Sequence, residues 1–122
     1  MTRPIRVALV EDDESIRKAM RRLLSVLGHK TEVFASGRAF LDSAPLDRHD
    51  CVIVDMQMPG MSGLELIKRM GEHGIRVPAV MVTGQDASES REQCLAAGAA
   101  AYLHKPIDDE VLVQAIARAV GS

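Results

Sequence analysis

Short strand-like runs alternate five times with stretches whose apolar residues recur at helical spacing, and that alternation constrains the fold more than any other feature. The runs are residues 7–10, 31–34, 51–54, 77–82 and 100–103. Most are continuously apolar rather than alternating, as suits strands buried on both faces. After the first run, Ile16, Met20, Leu23 and Leu27 share one helical face, with Ala19 and Leu24 in support. Gly28 then supplies a left-handed stop. Ser36 is placed to cap a short helix carrying Phe40 and Leu41, and Pro45 with its polar neighbours reads as a loop. Ser62 is placed to cap a helix carrying Leu64, Ile67 and Met70, which Gly71 or Gly74 ends. A fourth helix over 88–97 has a thin apolar face, mainly Leu95 with Cys94 and alanines, and a last helix runs from Asp108 to Val120.

Strand and helix alternating through the whole chain predict an α/β fold, a doubly wound parallel sheet with helices on both faces. Right-handed crossovers leave few topologies. The flavodoxin-like order 2-1-3-4-5, with five strands and five helices, is the natural solution and sets the first and third strands side by side. A length of 122 residues suits one domain, 1–122, and lets roughly two-thirds of the unfolded surface be buried without disulfide or metal staples. A net charge of −2 gives no long-range field toward nucleic acid or an anionic membrane, so direct binding to either is not expected. No apolar run is long enough to cross a bilayer, and no signal-peptide pattern follows Met1, which makes a cytoplasmic location the expectation. Cys51 and Cys94 fall in different elements without C-x-x-C spacing, so they read as small core residues rather than zinc ligands.

Polar groups follow the carboxyl ends of four strands: Glu11 and Asp12 the first, Asp55 the third, Thr83 the fourth and Lys105, through His104, the fifth. Each has an ordinary explanation alone. Asp55 by itself reads as a cap or turn residue, the acidic run as a favourable helix start, Thr83 as a turn residue and Lys105 as a solvated charge. Together they line one rim, at the edge where open α/β sheets place ligands. Crowded carboxylates need a cation to offset them. Oxygen-only ligands suit a hard ion such as Mg2+, completed by waters and a phosphate. One carboxylate could attack phosphorus while a hydroxyl and an ammonium hold the other phosphoryl oxygens.

The ordered motifs carry a family resemblance over essentially the whole chain. They are Val10-Glu11-Asp12-Asp13, Asp55-Met56-Gln57-Met58-Pro59-Gly60-Met61-Ser62-Gly63, Thr83-Gly84, and Gly98-Ala99-Ala100-Ala101-Tyr102-Leu103-His104-Lys105-Pro106. The chain resembles the receiver domains of two-component response regulators. The resemblance implies that Asp55 accepts a phosphoryl group from a sensor histidine kinase or a histidine phosphotransfer protein, with Mg2+ or another divalent cation such as Mn2+. It implies that Asp12 binds the metal directly, Glu11 through a metal-bound water, and Gln57 through its backbone carbonyl. Lys105 bridges to the phosphoryl group and Thr83 closes on it through its hydroxyl, while Asp13 opens the helix instead.

Tyr102 has two readings: a ring covering the sheet edge with its hydroxyl wetted, or, by resemblance, a rotor that fills space when Thr83 moves. The resemblance also implies a cis Lys105-Pro106 bond, and phosphate lifetime tuned at Gln57 and Gln85. In the last helix Glu110, Gln114 and Arg118 form one narrow polar stripe, leaving an apolar arc wider than one sheet face demands. Either neighbouring helices cover the surplus, or it serves a homodimer or an output partner together with the fourth helix and fifth strand. Arg17, Lys18, Arg21 and Arg22 read as a solvated face, which in the family also docks the phosphotransfer partner. The leading expectation is a signalling receiver that catalyses its own phosphorylation and dephosphorylation without being a conventional enzyme, either standalone or part of a longer transcriptional regulator. A flavodoxin-like electron carrier fits worse, because Glu11, Asp12 and Asp13 would repel a flavin phosphate. A dehalogenase-like phosphatase fits worse too, since Asp55-Met56-Gln57 lacks its second acid. The intact acid, threonine and lysine set argues against a module that is never phosphorylated.

Overall fold

Continuous apolar runs become the central strands of a parallel sheet, and the amphipathic stretches become the helices that cover it. A computed structural model describes residues 4–43, 48–84 and 88–121. The loop around Pro45 and residue Gln85 lie outside the described residues. In chain order the elements are β1 (Arg6–Val10), α1 (Glu14–Val26), β2 (Lys30–Phe34), α2 (Gly37–Leu41), β3 (Cys51–Asp55), α3 (Gly63–Glu72), β4 (Ala79–Thr83), α4 (Ser88–Ala96), β5 (Ala101–His104) and α5 (Asp109–Gly121). All strand pairs are parallel and the order is β2-β1-β3-β4-β5, as the alternation predicts.

Successive strand residues point to opposite faces, so each central strand feeds two cores. Ala8, Val10, Val52, Val54 and Met81 pack with Phe34, Phe40, Leu66 and Met70 on one face. Val7, Leu9, Ile53, Val80 and Val82 pack with Met20, Leu24, Leu112 and Ile116 on the other. Every residue of β3 and β4 is buried, which is why their sequences show no alternation.

Local signals behave as expected at several ends. Asp13 Oδ1 accepts from the Ile16 N–H and caps α1, Ser36 accepts from Ala39 N–H, and Ser62 accepts from Glu65 N–H. Gly28 follows α1 at φ 88°, and Gly74 follows α3 at φ 70°. The helix faces differ in detail. Leu66 rather than Leu64 is fully buried in α3, and Leu24 rather than Ala19 anchors α1. Among the described side chains of α4 the fully buried one is Cys94, whereas Leu95 is 43% exposed, so little of the described face is buried. Cys51 is equally buried; both thiols are free, and burial pushes Cys51 up to about 12. In α5, Leu112, Ala115 and Ile116 are buried and Val113, Ala117, Ala119 and Val120 half-buried, so the sheet and its neighbours cover most of the wide arc. Val111, 46% exposed, is its uncovered remainder. Among the described residues no helix is long and apolar enough to cross a membrane.

One glycine sets how closely α3 approaches the sheet. A Cβ on Gly63 would lie 2.6 Å from Met81 Cε, 2.7 Å from the Asp55 carbonyl oxygen and 2.9 Å from Met56 Cα. Two of those atoms are backbone and cannot yield. Gly63→Ala therefore forces α3 away from the end of β3, and urea denaturation should show a loss of about 1–3 kcal/mol. Gly71→Ala, where a Cβ meets nothing within 4 Å, serves as the control that should keep full stability.

Candidate functional site

Strand register brings the rim residues together. Val10 pairs with Val54, so Glu11 and Asp55 follow side by side on β1 and β3. Asp55 pairs with Val82, and Thr83 pairs with His104, which places Thr83 and Lys105 one step further along the same edge. Backbone bonds prolong the ladder there: Glu11 N–H donates to Phe34, Met56 N–H to Val82 and Lys105 N–H to Thr83. The positions are thus fixed by sheet hydrogen bonds rather than by loose loops.

Three of these groups are deeply buried: Thr83 is fully buried, Glu11 2% exposed and Asp55 5% exposed. Asp12 is exposed at the mouth. The Lys105-Pro106 bond is cis. Lys105 Nζ lies 3.1 Å from Glu11 Oε1 and 3.4 Å from Asp55 Oδ1, so one ammonium serves two carboxylates. Asp55 Oδ1 also accepts from the Gln57 backbone N–H at 3.3 Å. Oxygens of Glu11, Asp12 and Asp55 all fall within 4.8 Å of one another.

Charge is out of balance in this cluster. Burial first, and then the adjoining Asp55 carboxyl, push Glu11 up to about 7, although Lys105 pulls the other way. Burial works against the Lys105 ammonium, but its hydrogen bond to Glu11 and the charges of Asp55 and Glu11 outweigh this and raise it. The ammonium remains charged, and it does not fully compensate the acids around it. Hard oxygen ligands, one of them open to solvent, make a donor set that fits a small divalent cation.

Two features of the site have no clear mark in the sequence. The Gln57 side chain bridges two loops: its Nε2 donates to Thr83 Oγ1 at 3.0 Å, and its Oε1 accepts from Gly84 N–H at 3.2 Å. Arg17, expected on a solvated face, turns back to the β1–α1 turn, where Nη1 donates to the carbonyls of Glu11 and Asp12. Tyr102 is half-buried against the α3 and α4 side of the core. Its hydroxyl is buried without a hydrogen-bond partner among the described residues, so it is not the wetted group that one reading expected.

Comparisons with known proteins agree with this geometry. The response regulator receiver domain family matches residues 7–117. The transcriptional regulatory protein FixJ of Rhizobium meliloti (strain 1021) is 34% identical over 113 residues, covering 93% of this chain and 55% of that protein. The response regulator MprA of Mycolicibacterium vanbaalenii is 37% identical over 110 residues, covering 90% and 48%. The chain therefore spans about half the length of these curated relatives. Among solved structures, FixJ-N superposes with a TM-score of 0.90 at 32% identity, covering 98% of this chain and 96% of that one. The Vibrio cholerae chemotaxis protein CheY4 gives 0.85 at 33% identity, with coverages of 96% and 99%. With the strand order, the acidic edge and the family match in agreement, this chain belongs to the response regulator receiver domains.

Proposed function

We propose that this receiver accepts a phosphoryl group on Asp55 from a phosphohistidine of a kinase or phosphotransfer protein, with Mg2+ bound, and later loses it to water. The observation that carries the proposal is the single ammonium of Lys105 within reach of both Asp55 and Glu11, at the edge where Asp12 opens to solvent. An Asp55 oxygen attacks phosphorus as the bond from phosphorus to the histidine nitrogen breaks, leaving an acyl phosphate. Asp12 and Asp55, with the Gln57 carbonyl, would hold the metal directly, and Glu11 would hold it through a water. Bound there, the cation supplies the positive charge that the phosphoryl oxygens and crowded carboxylates lack. Lys105 pairs with a phosphoryl oxygen, and Thr83 donates its hydroxyl proton to another while still accepting from Gln57. Tyr102 acts as the rotor that follows Thr83. The phosphate lifetime also depends on Gln57 and on Gln85, the latter outside the described residues.

Partner surfaces extend this reading. A groove of about 750 Å3 lies between α1 and the start of α5, lined by Ile16, Met20, Leu23, Lys105, Pro106 and Ile107. A donor helix seated there brings its phosphohistidine toward Lys105, and Arg21 and Arg22 favour an acidic face on that helix. Leu95 and Val111 remain exposed beside β5, which supports a homodimer or output contact across α4, β5 and α5. A second reading follows from the comparisons: a receiver, here residues 1–122, that serves as one part of a longer transcriptional regulator. The half-length overlap with FixJ, itself named a transcriptional regulatory protein, favours it. Glu11 and Asp12 occupy the turn where a flavin phosphate would need donors, which counts against an electron carrier.

Acetyl phosphate with Mg2+ should add one phosphoryl group, roughly 80 Da by mass spectrometry. Omission of the metal or substitution Asp55→Asn should abolish the gain, and an equal gain in the Asn variant would sink the proposal. A second prediction concerns pH. Folding raises the Glu11 carboxyl from its ordinary 4.5 to about 7, so the folded state favours the protonated form. That contribution is complete below about 4.5 and is lost as pH rises through about 7. Metal-free protein should therefore lose stability to urea across this window, relative to Glu11→Gln, and saturating Mg2+ should remove the difference. Parallel profiles for the two proteins without metal would refute the assignment.

A further inference from the structure

Glu11 and Asp12 contribute two of the three converging carboxylates, and they are held in different ways. Glu11 is tied on every side: its N–H donates to Phe34, its carboxylate meets Lys105 and the Asp13 N–H, and its carbonyl accepts from Arg17. The Asp12 side chain is exposed and makes no hydrogen bond among the described residues. Its carboxylate is therefore placed by the backbone alone, and the backbone contact at that residue is again Arg17. One nitrogen, Nη1, donates to the Glu11 carbonyl at 2.9 Å and to the Asp12 carbonyl at 3.0 Å. Arg17 is itself anchored, since its backbone N–H donates to the Asp13 carbonyl in the first turn of α1.

We infer that Arg17 is a positioning residue for the divalent cation, holding the Glu11–Asp12 turn so that both carboxylates face Asp55. This rests on the metal-binding reading above. It also has a sign that separates positioning from plain electrostatics. A guanidinium beside two acids repels an incoming cation, so as a mere charge its removal should tighten metal binding. As a clamp on the two carbonyls, its removal frees the turn and should loosen binding, as loss of groups that orient metal ligands generally does. A lysine keeps the charge and can donate to two carbonyls, but from a shorter stem, so it should restore part of the effect.

The test is Mg2+ titration of wild type, Arg17→Ala and Arg17→Lys at constant ionic strength, followed by backbone amide NMR shifts. The Ala variant should bind roughly ten-fold more weakly, with the Lys variant between it and wild type. Melting of the metal-free Ala variant should stay close to wild type, since the substitution removes hydrogen bonds only in one partly exposed turn. Unchanged or tighter binding in the Ala variant overturns the inference, as does a metal-free destabilisation that accounts for the whole binding loss. Absence of Mg2+-dependent shifts in wild type overturns the metal-binding reading itself.

Discussion

Two carboxylates forced together at the end of neighbouring parallel strands are the constraint on which the site depends. Glu11 and Asp55 are adjacent because β1 and β3 are adjacent and Val10 pairs with Val54. Two such charges, with oxygens within 4.8 Å of each other, repel by roughly 3–4 kcal/mol at an effective dielectric of 20. Neither can move away, since both backbones belong to the sheet ladder. The chain answers with one ammonium carried in from β5, two strands beyond β3. Burial still leaves Glu11 raised to about 7, so the protein alone does not neutralise its own edge. An added cation is the physical complement of that deficit, and the exposed Asp12 leaves a way in.

Support around the edge is uneven, and the difference follows from packing. On the β3 side, α3 approaches so closely that only glycine fits at position 63, against the Asp55 carbonyl and Met56 Cα. Gln57 spans from that loop to Thr83 and Gly84, coupling the ends of β3 and β4 through one carboxamide. Beyond β4 the packing thins. Helix α4 buries Cys94 with its sulfur 3.6 Å from Met56 Sδ, while Leu95 faces outward. Elements with so little buried apolar surface are those that open at low free-energy cost. The rigid flank thus carries the carboxylates, and the loosely held flank lies beside Thr83.

How legible a feature is in the sequence depends on whether it is local. Strand runs, the caps Asp13, Ser36 and Ser62, and the glycine stops act within a few residues, and each leaves a readable pattern. Glu11, Asp55, Thr83 and Lys105 can be placed at one edge because strand ends and strand order follow from that pattern. Helix faces are harder. Leu64 and Leu66 both fit a helical spacing with Met70 or Ile67, and the choice falls to how Gly63 lets α3 settle on β3. In α4 the sequence ranks Leu95 ahead of Cys94 on a thin face and the structure reverses that order, since so thin a face has little period to detect. Arg17 is the furthest from view. Its role lies in two backbone carbonyls, and a carbonyl has no letter in the sequence.

Tyr102 shows why the loosely packed flank matters to the proposed switch. Its hydroxyl is buried, and its strand lies next to that of Thr83. Thr83, on the neighbouring strand, is fully buried and holds its place through Gln57. A phosphoryl group on Asp55 would accept from the Thr83 hydroxyl while Gln57 still donates to it, and so act at the point where the two strands meet. A ring beside a helix with little buried apolar surface can change its place at low free-energy cost, which keeps the gap between two states small. Only a small gap can be reversed by a ligand that gains a few hydrogen bonds in one state and not the other. The thin packing beside Tyr102 therefore favours switching, because it narrows the difference that phosphorylation has to overcome.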